Sequence, residues 1–342
     1  MRPVVIVGGG LAGLALGILL RRQGVPVSLH EASHYPRHRV CGEFISGEGI
    51  EILDALGLRG GSMGSHVCLA RTVKFLFSKH ASTTLPLPHE AWSLSRWTLD
   101  AALADRFEGL GGTLVTHSRI RRGALEPGWV DARGRRRRGE SGAWLGVKFH
   151  LPTIPLEADL EMHFVQRQYV GLCRIETGQT NLCALIPHAL PLRNLASQPT
   201  RVLGELFPRL KSRIEGLEID KDSFVSVSAL HYGGGSRQAP GHSVQIGDAV
   251  GMIPPLTGNG MSLALESARL AAGPMGAWSR DLLDWGEVCR QIQQAHRQRF
   301  GRRLAAARWL QFALIRSSSG WIQSWLAKGA PWLMPIGFRW TR

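Results

Sequence analysis

A glycine-rich turn near the N-terminus constrains the fold of this chain more than any other feature. Gly8, Gly10 and Gly13 form a G-x-G-x-x-G sequence between a β-branched run that ends at Val7 and a helical pattern over residues 11–23. In such a turn the glycines serve a tight reversal, the close approach of backbone to a pyrophosphate, and the packing of helix on strand. The turn therefore predicts a βαβ unit that binds a dinucleotide at a helix N-terminus.

The second strand of this unit, residues 25–31, supports that prediction. It ends at Glu31, eighteen residues after Gly13, where a carboxylate can accept hydrogen bonds from both hydroxyls of an adenosine ribose. The same carboxylate would repel a 2′-phosphate, so we expect the site to disfavour NADP. These residues alone leave both FAD and NAD open.

A second motif lies far along the chain. The sequence VQIGDA at 244–249 is followed by PPLTGNGM at 254–261 and then by a helical pattern. A strand that ends in Gly247-Asp248 lets a carboxylate reach a polyol, and the glycine-rich turn offers backbone N–H groups at a helix start. NAD enzymes need neither feature, so the two motifs together favour FAD.

With both motifs the sequence resembles the glutathione-reductase-type flavoproteins, specifically the branch of para-hydroxybenzoate-hydroxylase-like monooxygenases and geranylgeranyl reductases. Two more segments are similar to that branch: PRHRVCGE at 36–43, which is like the reductases' Cys-Gly loop, and Ser95-Arg96 with Leu99-Asp100, which is like the family's flavin-side helix. The resemblance covers most of residues 3–275. It implies an FAD-dependent oxidoreductase.

The resemblance and the motifs together predict the site residues. Cys41, Gly42 and Glu43 are the candidate catalytic positions along the flavin, although Cys41 could equally be a small buried thiol, and Arg39 is a further candidate polar contact. The candidate cofactor-binding residues are Gly8, Gly10, Leu11, Ala12, Gly13, Glu31, Arg37, Arg96, Gly247, Asp248, Pro255, Gly258, Asn259, Gly260 and Met261.

Some positions depart from the family's pattern. The monooxygenases carry an Asp-Gly motif associated with external NAD(P)H, and Asp131-Ala132-Arg133-Gly134-Arg135 occupies that region without it. No second G-x-G-x-x-G exists, so we expect NAD(P)H to bind transiently or a protein electron donor to replace it. Gly17 stands where the family usually has alanine, an exchange expected to be harmless because both residues are small.

The pattern between residues 144 and 187 changes to short two-periodic runs at 144–151, 158–165, 169–176 and 180–186, which predict an antiparallel sheet. The predicted fold class is α/β, with a Rossmann-type FAD-binding domain interleaved with an antiparallel β-sheet substrate domain, plus a helical C-terminal tail. The FAD-binding domain is assigned residues 1–65, 91–143 and 236–280. The substrate domain is assigned 66–90 and 144–235, and a basic, Trp-rich helical region 281–342.

The predicted sheet is rich in apolar residues, so we expect it either to cover the flavin ring and shape a cavity for a small hydrophobic substrate or to be a plain packing face. Three functions remain open. They are a monooxygenase acting on an aromatic, polyketide-like or lipid substrate, a flavin reductase of isoprenoid double bonds, and a non-catalytic nucleotide-binding partner of a membrane complex.

The net charge of +15 is concentrated near the C-terminus, since residues 288–342 hold ten basic residues and no Asp or Glu. Five tryptophans accompany them, so residues 300–342 predict either peripheral membrane contact or a helix packed over the substrate domain. They are Trp309, Trp321, Trp325, Trp332 and Trp340. A basic run, Arg133 with Arg135–Arg138, suits either a phosphate or a solvated loop. No nucleic-acid reader motif accompanies the charge, so we expect no nucleic-acid partner.

The number and spacing of the cysteines bear on metal binding and on the cellular compartment. The five cysteines include no C-x-x-C pair and no histidine at a metal spacing, so we expect no metal site and a reducing, cytoplasmic location that allows membrane association. The uncharged run at 4–20 is broken by glycines and is short for a membrane span, so it predicts strand, turn and helix.

Overall fold

A computed structural model describes residues 1–58, 67–77, 82–121, 123, 125–135, 144–188, 192–230, 243–251 and 258–311. Its first sheet, sheet A, has five parallel strands in the order β13-β7-β1-β2-β6. They are β1 (Val4–Val7), β2 (Val27–His30), β6 (Thr113–Val115), β7 (Trp129–Asp131) and β13 (Val244–Gln245). The β-branched run of β1 lies at the centre, where a parallel sheet is buried on both faces.

Four helices pack against sheet A or against one another. They are α1 (Leu11–Arg22), α2 (Glu48–Ala55), α3 (Arg96–Gly109) and α6 (Gly260–Ser279). α1 packs between α3 and α6. A Cβ at position 17 would lie 2.8 Å from the buried Phe107 ring. Glycine allows α1 to approach α3 this closely.

The second sheet, sheet B, has eight strands in the order β12-β8-β11-β10-β9-β4-β5-β3. They are β3 (Phe44–Ser46), β4 (Cys68–Leu76), β5 (Ser82–Ser93), β8 (Trp144–Leu151), β9 (Leu160–Val165), β10 (Gln168–Arg174), β11 (Thr180–Pro187) and β12 (Asp220–Leu230). Its neighbours are antiparallel except β4 and β9, which run parallel. These two strands belong to distant segments, and a long connection permits parallel pairing.

Three strands of sheet B had no sequence prediction: β3, β5 and β12. β5 contains Pro86 and Pro88, which argue against a central strand, and only its last residues, Ala91–Ser93, pair with β3. The polar strand β12 lies at the sheet edge. Between β11 and β12 lie two short helices, α4 (Pro199–Leu206) and α5 (Pro208–Ile214), because Pro208 ends the first helical stretch after Phe207.

The C-terminal helix α7 (Trp285–Gln311) confirms the predicted helical region as far as the structure describes it. It packs on α6, where the buried Glu266 carboxylate accepts hydrogen bonds from Arg299 at 2.8 Å and from Arg303 at 2.7 Å. The tryptophans of the tail lie outside the residues with described side chains. Among the described helices, each is too short or too polar to cross a membrane.

Candidate functional site

A cavity of about 1020 Å³, lined by residues that the structure describes, lies between the two sheets. Gly8, Gly10 and Glu31 line one part of it, and Gly258 and Gly260 line another. The two motifs far apart in sequence therefore face the same space. Its volume is at the upper end of the range of small-molecule sites, about 300–1,000 Å³.

The N-terminal turn has the packing that a phosphate-binding turn requires. A Cβ on Gly8, whose φ is +111°, would lie 2.4 Å from the carbonyl oxygen of Ala132, and one on Gly13 would lie 2.0 Å from the Gly8 carbonyl oxygen. At Gly10, in contrast, a Cβ would meet no described atom within 4 Å. Gly8 and Gly13 thus serve internal packing, while Gly10 leaves space on the cavity side. Leu11 and Ala12 line the cavity beside it.

Glu31 is buried at the end of β2. Its Oε2 accepts the N–H of Gly9 at 2.7 Å, and Arg37 contacts Oε1 at 2.8 Å. Burial raises the pKa of this carboxyl, but Arg37, Arg39 and two backbone N–H groups outweigh it, so the net pKa is lowered. The carboxylate stays ionised and can accept hydrogen bonds from hydroxyls.

Two arginine nitrogens near this end are buried without a hydrogen-bond partner among the described residues. They are Nε of Arg37 and Nη2 of Arg39, and both side chains line the cavity. Buried donors of this kind are costly to leave unsatisfied. An anionic group in the cavity would satisfy them, which fits the diphosphate of a dinucleotide.

The distal motif lies directly against the first turn. A Cβ on Gly247 would come 2.9 Å from the Cβ of Ala12, so glycine allows β13 to reach the start of α1. Asp248 is exposed to the cavity. The enclosing protein raises the pKa of its carboxyl, against the opposing effect of Arg96, Arg135 and Arg39.

The glycine-rich turn at α6 follows. Gly258 has φ +64°, and a Cβ there would lie 3.3 Å from the Phe44 ring, while Gly260 and Met261 line the cavity. Asn259 is buried, and its Oδ1 accepts from the Ser46 hydroxyl at 3.4 Å. Pro255 lies outside the described residues. The N-termini of α1 and α6 thus both face the cavity.

Arg96 lines the cavity at the start of α3. Its guanidinium forms a bidentate ion pair with the buried Asp100, at 2.7 and 2.8 Å, and Arg39 contacts the same carboxylate at 3.0 Å. Burial lowers the pKa of Arg96, but the raising effect of Asp100 outweighs it, so the pKa is raised overall. Arg96 therefore stays protonated at the cavity wall, where Asp100 balances its charge.

The Cys-Gly loop divides between the cavity and the protein interior. Cys41 and Gly42 line the cavity, and burial raises the pKa of the Cys41 thiol. A thiol that stays protonated is a weak nucleophile, which argues against covalent catalysis by Cys41. Glu43 is fully buried, with φ +53°, and is not among the residues lining the described cavity.

Glu43 instead belongs to a buried polar cluster that sequence reasoning missed. Its Oε1 accepts from the ammonium of Lys148 at 3.1 Å, and its Oε2 lies 2.8 Å from Nε2 of His150. Lys148 also lies 3.1 Å from Nδ1 of His38. The signal was present in β8, where Lys148 and His150 alternate with the apolar Val147 and Phe149 and so share one face of the strand.

Three groups of this cluster could offer ligand atoms to a metal ion. Those of His38, Glu43 and His150 lie within 4.8 Å of one another. The ammonium of Lys148, however, already lies at hydrogen-bond distance from Glu43 and His38. The cluster thus contains its own cation, which would repel a second one.

The remaining cavity wall comes from sheet B and is largely apolar. Gly146 on β8, Leu185 on β11 and Tyr169 on β10 lie side by side, and Val227 and Leu230 of β12 continue the surface. Arg133 and Arg135 of the basic run also line the cavity. Arg133 is paired with Asp131 at 2.8 Å, and Arg135 donates to the Ser228 carbonyl oxygen at 3.1 Å. Arg136–Arg138 lie outside the described residues.

Two models of known protein families match separate segments of the chain. Residues 1–138 match the family model of an FAD-binding domain, which confirms the predicted cofactor class. Residues 210–308 match the family model of squalene epoxidase.

Two curated relatives share parts of the sequence. A squalene epoxidase of Aspergillus fumigatus is 46% identical over 56 residues, which is 16% of this chain and 12% of that protein. Conditioned medium factor receptor 1 of Dictyostelium discoideum is 22% identical over 79% of this chain and 62% of its own length. The chain thus covers less than two thirds of either relative.

Solved structures match over nearly the whole chain. The flavin-dependent brominase Bmp2 is 18% identical, with a TM-score of 0.73, and the match covers 99% of this chain and 94% of that one. PqsL of Pseudomonas aeruginosa, in complex with 2-aminobenzoylacetate, is 17% identical with a TM-score of 0.73 over 94% of this chain and 98% of that one. The myxobacterial chondrochloren halogenase CndH is 16% identical with a TM-score of 0.77 over 93% and 84%. At these identities the likeness concerns the fold, and it confirms the predicted fold class.

Proposed function

We propose that this chain is a monooxygenase acting on a hydrophobic substrate. The proposal starts from its place among the FAD-dependent oxidoreductases of the glutathione-reductase-type flavoprotein superfamily, in the para-hydroxybenzoate-hydroxylase-like branch. The substrate class is an aromatic, polyketide-like or lipid molecule. The single observation that carries this proposal is the continuous cavity, which joins the dinucleotide turn, the distal motif and an apolar wall of sheet B.

The residues of the cavity fit FAD from end to end. Glu31 would accept hydrogen bonds from the adenosine ribose, the turn at Gly10 and the buried nitrogens of Arg37 and Arg39 would hold the diphosphate, and Asp248 would bind the ribityl chain. The start of α6 at Gly260 would stabilise negative charge on the ring. Bound FAD supplies the hydride and oxygen chemistry, so the protein must position the substrate and exclude water.

The apolar wall supports the hydrophobic substrate. Tyr169, Leu185 and Leu230 belong to a cluster of buried apolar side chains that continues away from the cavity. A substrate with an extended apolar surface would gain about 25 cal/mol for each Å² removed from water against such a wall. The squalene epoxidase match of residues 210–308, which include β12, supports a lipid-like substrate in particular.

The test begins with the purified holoenzyme. We expect a yellow protein whose NAD(P)H-dependent oxygen consumption rises when hydrophobic aromatic or isoprenoid compounds are added. If oxygen uptake does not respond and the enzyme instead reduces alkenes anaerobically, the reductase alternative replaces the monooxygenase. A colourless chain that takes up no FAD would contradict both.

A pair of variants links activity to the cavity. Gly10→Val adds a side chain that meets no protein atom at its Cβ but enters the space assigned to the diphosphate. We expect a folded, colourless protein. Gly109→Ala, at the end of α3 in similarly open space, is the matched control and should keep its FAD. FAD retained at full occupancy in Gly10→Val would refute the assigned position.

The electron donor and the membrane contact remain proposals. NAD(P)H would bind transiently, or a protein donor would replace it. For the basic residues 300–342, deletion of residues 317–342 should lower binding to anionic liposomes while FAD stays bound. Unchanged liposome binding would remove the membrane proposal.

A further inference from the structure

The buried cluster around Lys148 has a role that FAD binding alone does not explain. Lys148 and His150 project from the same face of β8 as Gly146, which lines the cavity. Both Lys148 and Glu43 are fully buried. A buried ion pair is weak support for stability, because desolvation offsets most of the attraction between the two charges. Its position next to the cavity suggests chemical use.

One member of the cluster reaches the cavity. His38 lines it, and the ring stacks on Trp97 at 4.6 Å between centroids. The Lys148 ammonium has only protons to offer, so at 3.1 Å it must donate to Nδ1 of His38. Nδ1 is then the unprotonated nitrogen, and the neutral ring, whose residue lines the cavity, carries its proton on Nε2.

The surroundings of His38 keep the ring neutral. Burial, followed by the charges of Lys148 and His150, lowers the pKa of His38 to about 4, although Glu43 and Asp220 act in the opposite direction. Those groups lie on β8, on the Cys-Gly loop and on β12. A neutral imidazole with a fixed tautomer can pass protons between its two nitrogens.

We propose that His38 is a proton donor to the molecule bound in the cavity and that Lys148 resupplies it. The proton on Nε2 of His38 moves to the acceptor in the cavity, while a proton of the Lys148 ammonium moves to Nδ1. His38 ends neutral with the opposite tautomer, and Lys148 ends as a neutral amine. Glu43, which also contacts His150, remains a carboxylate and is a positioning residue for Lys148.

Either flavin reaction considered above needs such a donor. A monooxygenase releases one oxygen atom of O₂ as water, and an alkene reductase adds a hydride to one carbon and a proton to the other. A cavity that excludes water must supply that proton from a side chain. The inference therefore rests on the proposed flavin site but not on the choice between the two reactions.

The first test measures the proton directly and needs no substrate. In protein with ¹⁵N-labelled histidine, NMR at neutral pH should show His38 neutral, with Nδ1 unprotonated and Nε2 protonated, both before and after FAD is added. A His38 that is cationic at neutral pH, or that carries its proton on Nδ1, would overturn the proposal. Because the measurement does not require FAD, failure to bind FAD would count against the proposed function alone.

The second test measures proton delivery. The holoenzyme is reduced photochemically without oxygen, mixed with oxygenated buffer, and followed at the visible flavin band. His38→Asn places a carbonyl oxygen near the Nδ1 position and so keeps the acceptor for Lys148, but it cannot pass a proton. In the unchanged protein, reoxidation should be slower in D₂O than in H₂O. Since a positioned acid contributes about 10²–10⁴-fold to a rate, we expect reoxidation of His38→Asn to be at least about tenfold slower and to have the same rate in both solvents.

The control for this test is His34→Asn. His34 is exposed, stacks on His117, and belongs to the same loop without lining the cavity. Its reoxidation rate and D₂O effect should equal those of the unchanged protein. If His38→Asn behaves like the unchanged protein, or if both variants slow alike, His38 does not deliver the proton.

Discussion

His296 should make the stability of this protein depend on pH in a way that a single substitution can remove. The side chain is 2% exposed on α7, and its Nε2 lies 3.4 Å from the Ser267 carbonyl oxygen. Burial lowers its pKa from 6.5 to about 4, although the contact with Ser267 acts in the opposite direction. At about 1.4 kcal/mol per pKa unit, the difference corresponds to about 3 kcal/mol of unfolding free energy.

The direction follows from proton uptake. Below pH 6.5 the unfolded chain protonates this imidazole while the folded protein does not, so the unfolded state binds more protons and gains in stability as the pH falls. The contribution of His296 is therefore complete above pH 6.5 and is lost as the pH falls towards 4. His296→Gln keeps a donor for Ser267 but does not titrate.

Urea unfolding at several pH values between 7 and 4 measures the effect. At pH 7 we expect His296→Gln to be the less stable protein, because it packs less well beside Phe300. As the pH falls, the difference in unfolding free energy between the unchanged protein and His296→Gln should shrink or reverse, by up to about 3 kcal/mol at pH 4. His89→Gln, which changes an exposed histidine on β5, should follow the unchanged protein throughout. Parallel curves for His296→Gln and the unchanged protein would refute the reasoning.

Three further substitutions test the packing and the charges of the site. Gly17→Ala should lower the unfolding free energy by about 1–3 kcal/mol through overpacking, whereas Gly109→Ala, in open space, should not; equal urea midpoints would contradict this. Asp100→Asn leaves the buried Arg96 without its counter-charge, so it should lower the unfolding free energy by about 3–5 kcal/mol and weaken FAD retention. A variant that is fully stable and yellow would contradict this. Glu31→Gln should weaken FAD binding about 10- to 100-fold in a fluorescence titration, since a hydrogen bond to a charged group is worth about 1.5–3 kcal/mol; unchanged affinity would place the ribose elsewhere.

The polar cluster shows where sequence reasoning stopped. Glu43 was placed along the flavin because it follows the Cys-Gly pair, yet its carboxylate turns inward to Lys148, 105 positions further along the chain. The alternation of β8 could show that Lys148 and His150 share a face, but not which residues that face meets. The partner of a buried charge depends on the packing of segments that are distant in sequence.

Strand prediction failed for a related reason. β5 carries two prolines and β12 begins with Asp-Lys-Asp, and both patterns argue locally against a strand. β12 lies at the edge of sheet B, and the proline-containing part of β5 pairs with β4 alone because β3 reaches only Ala91–Ser93, so neither segment needs two hydrogen-bonded neighbours. The hydrophobic pattern of a single segment does not report where in a sheet that segment will lie.

The sequence by itself determined the two turns around Gly10 and Gly258 and the carboxylates at Glu31 and Asp248, because the need for glycine and for a polar strand end is local to each motif. Only the tertiary structure decided that both turns face one cavity and that His38, Lys148 and Glu43 meet beside it. Local backbone geometry can be inferred from neighbouring residues. Contact between distant segments depends on how the two sheets pack, and this is a property of the whole chain.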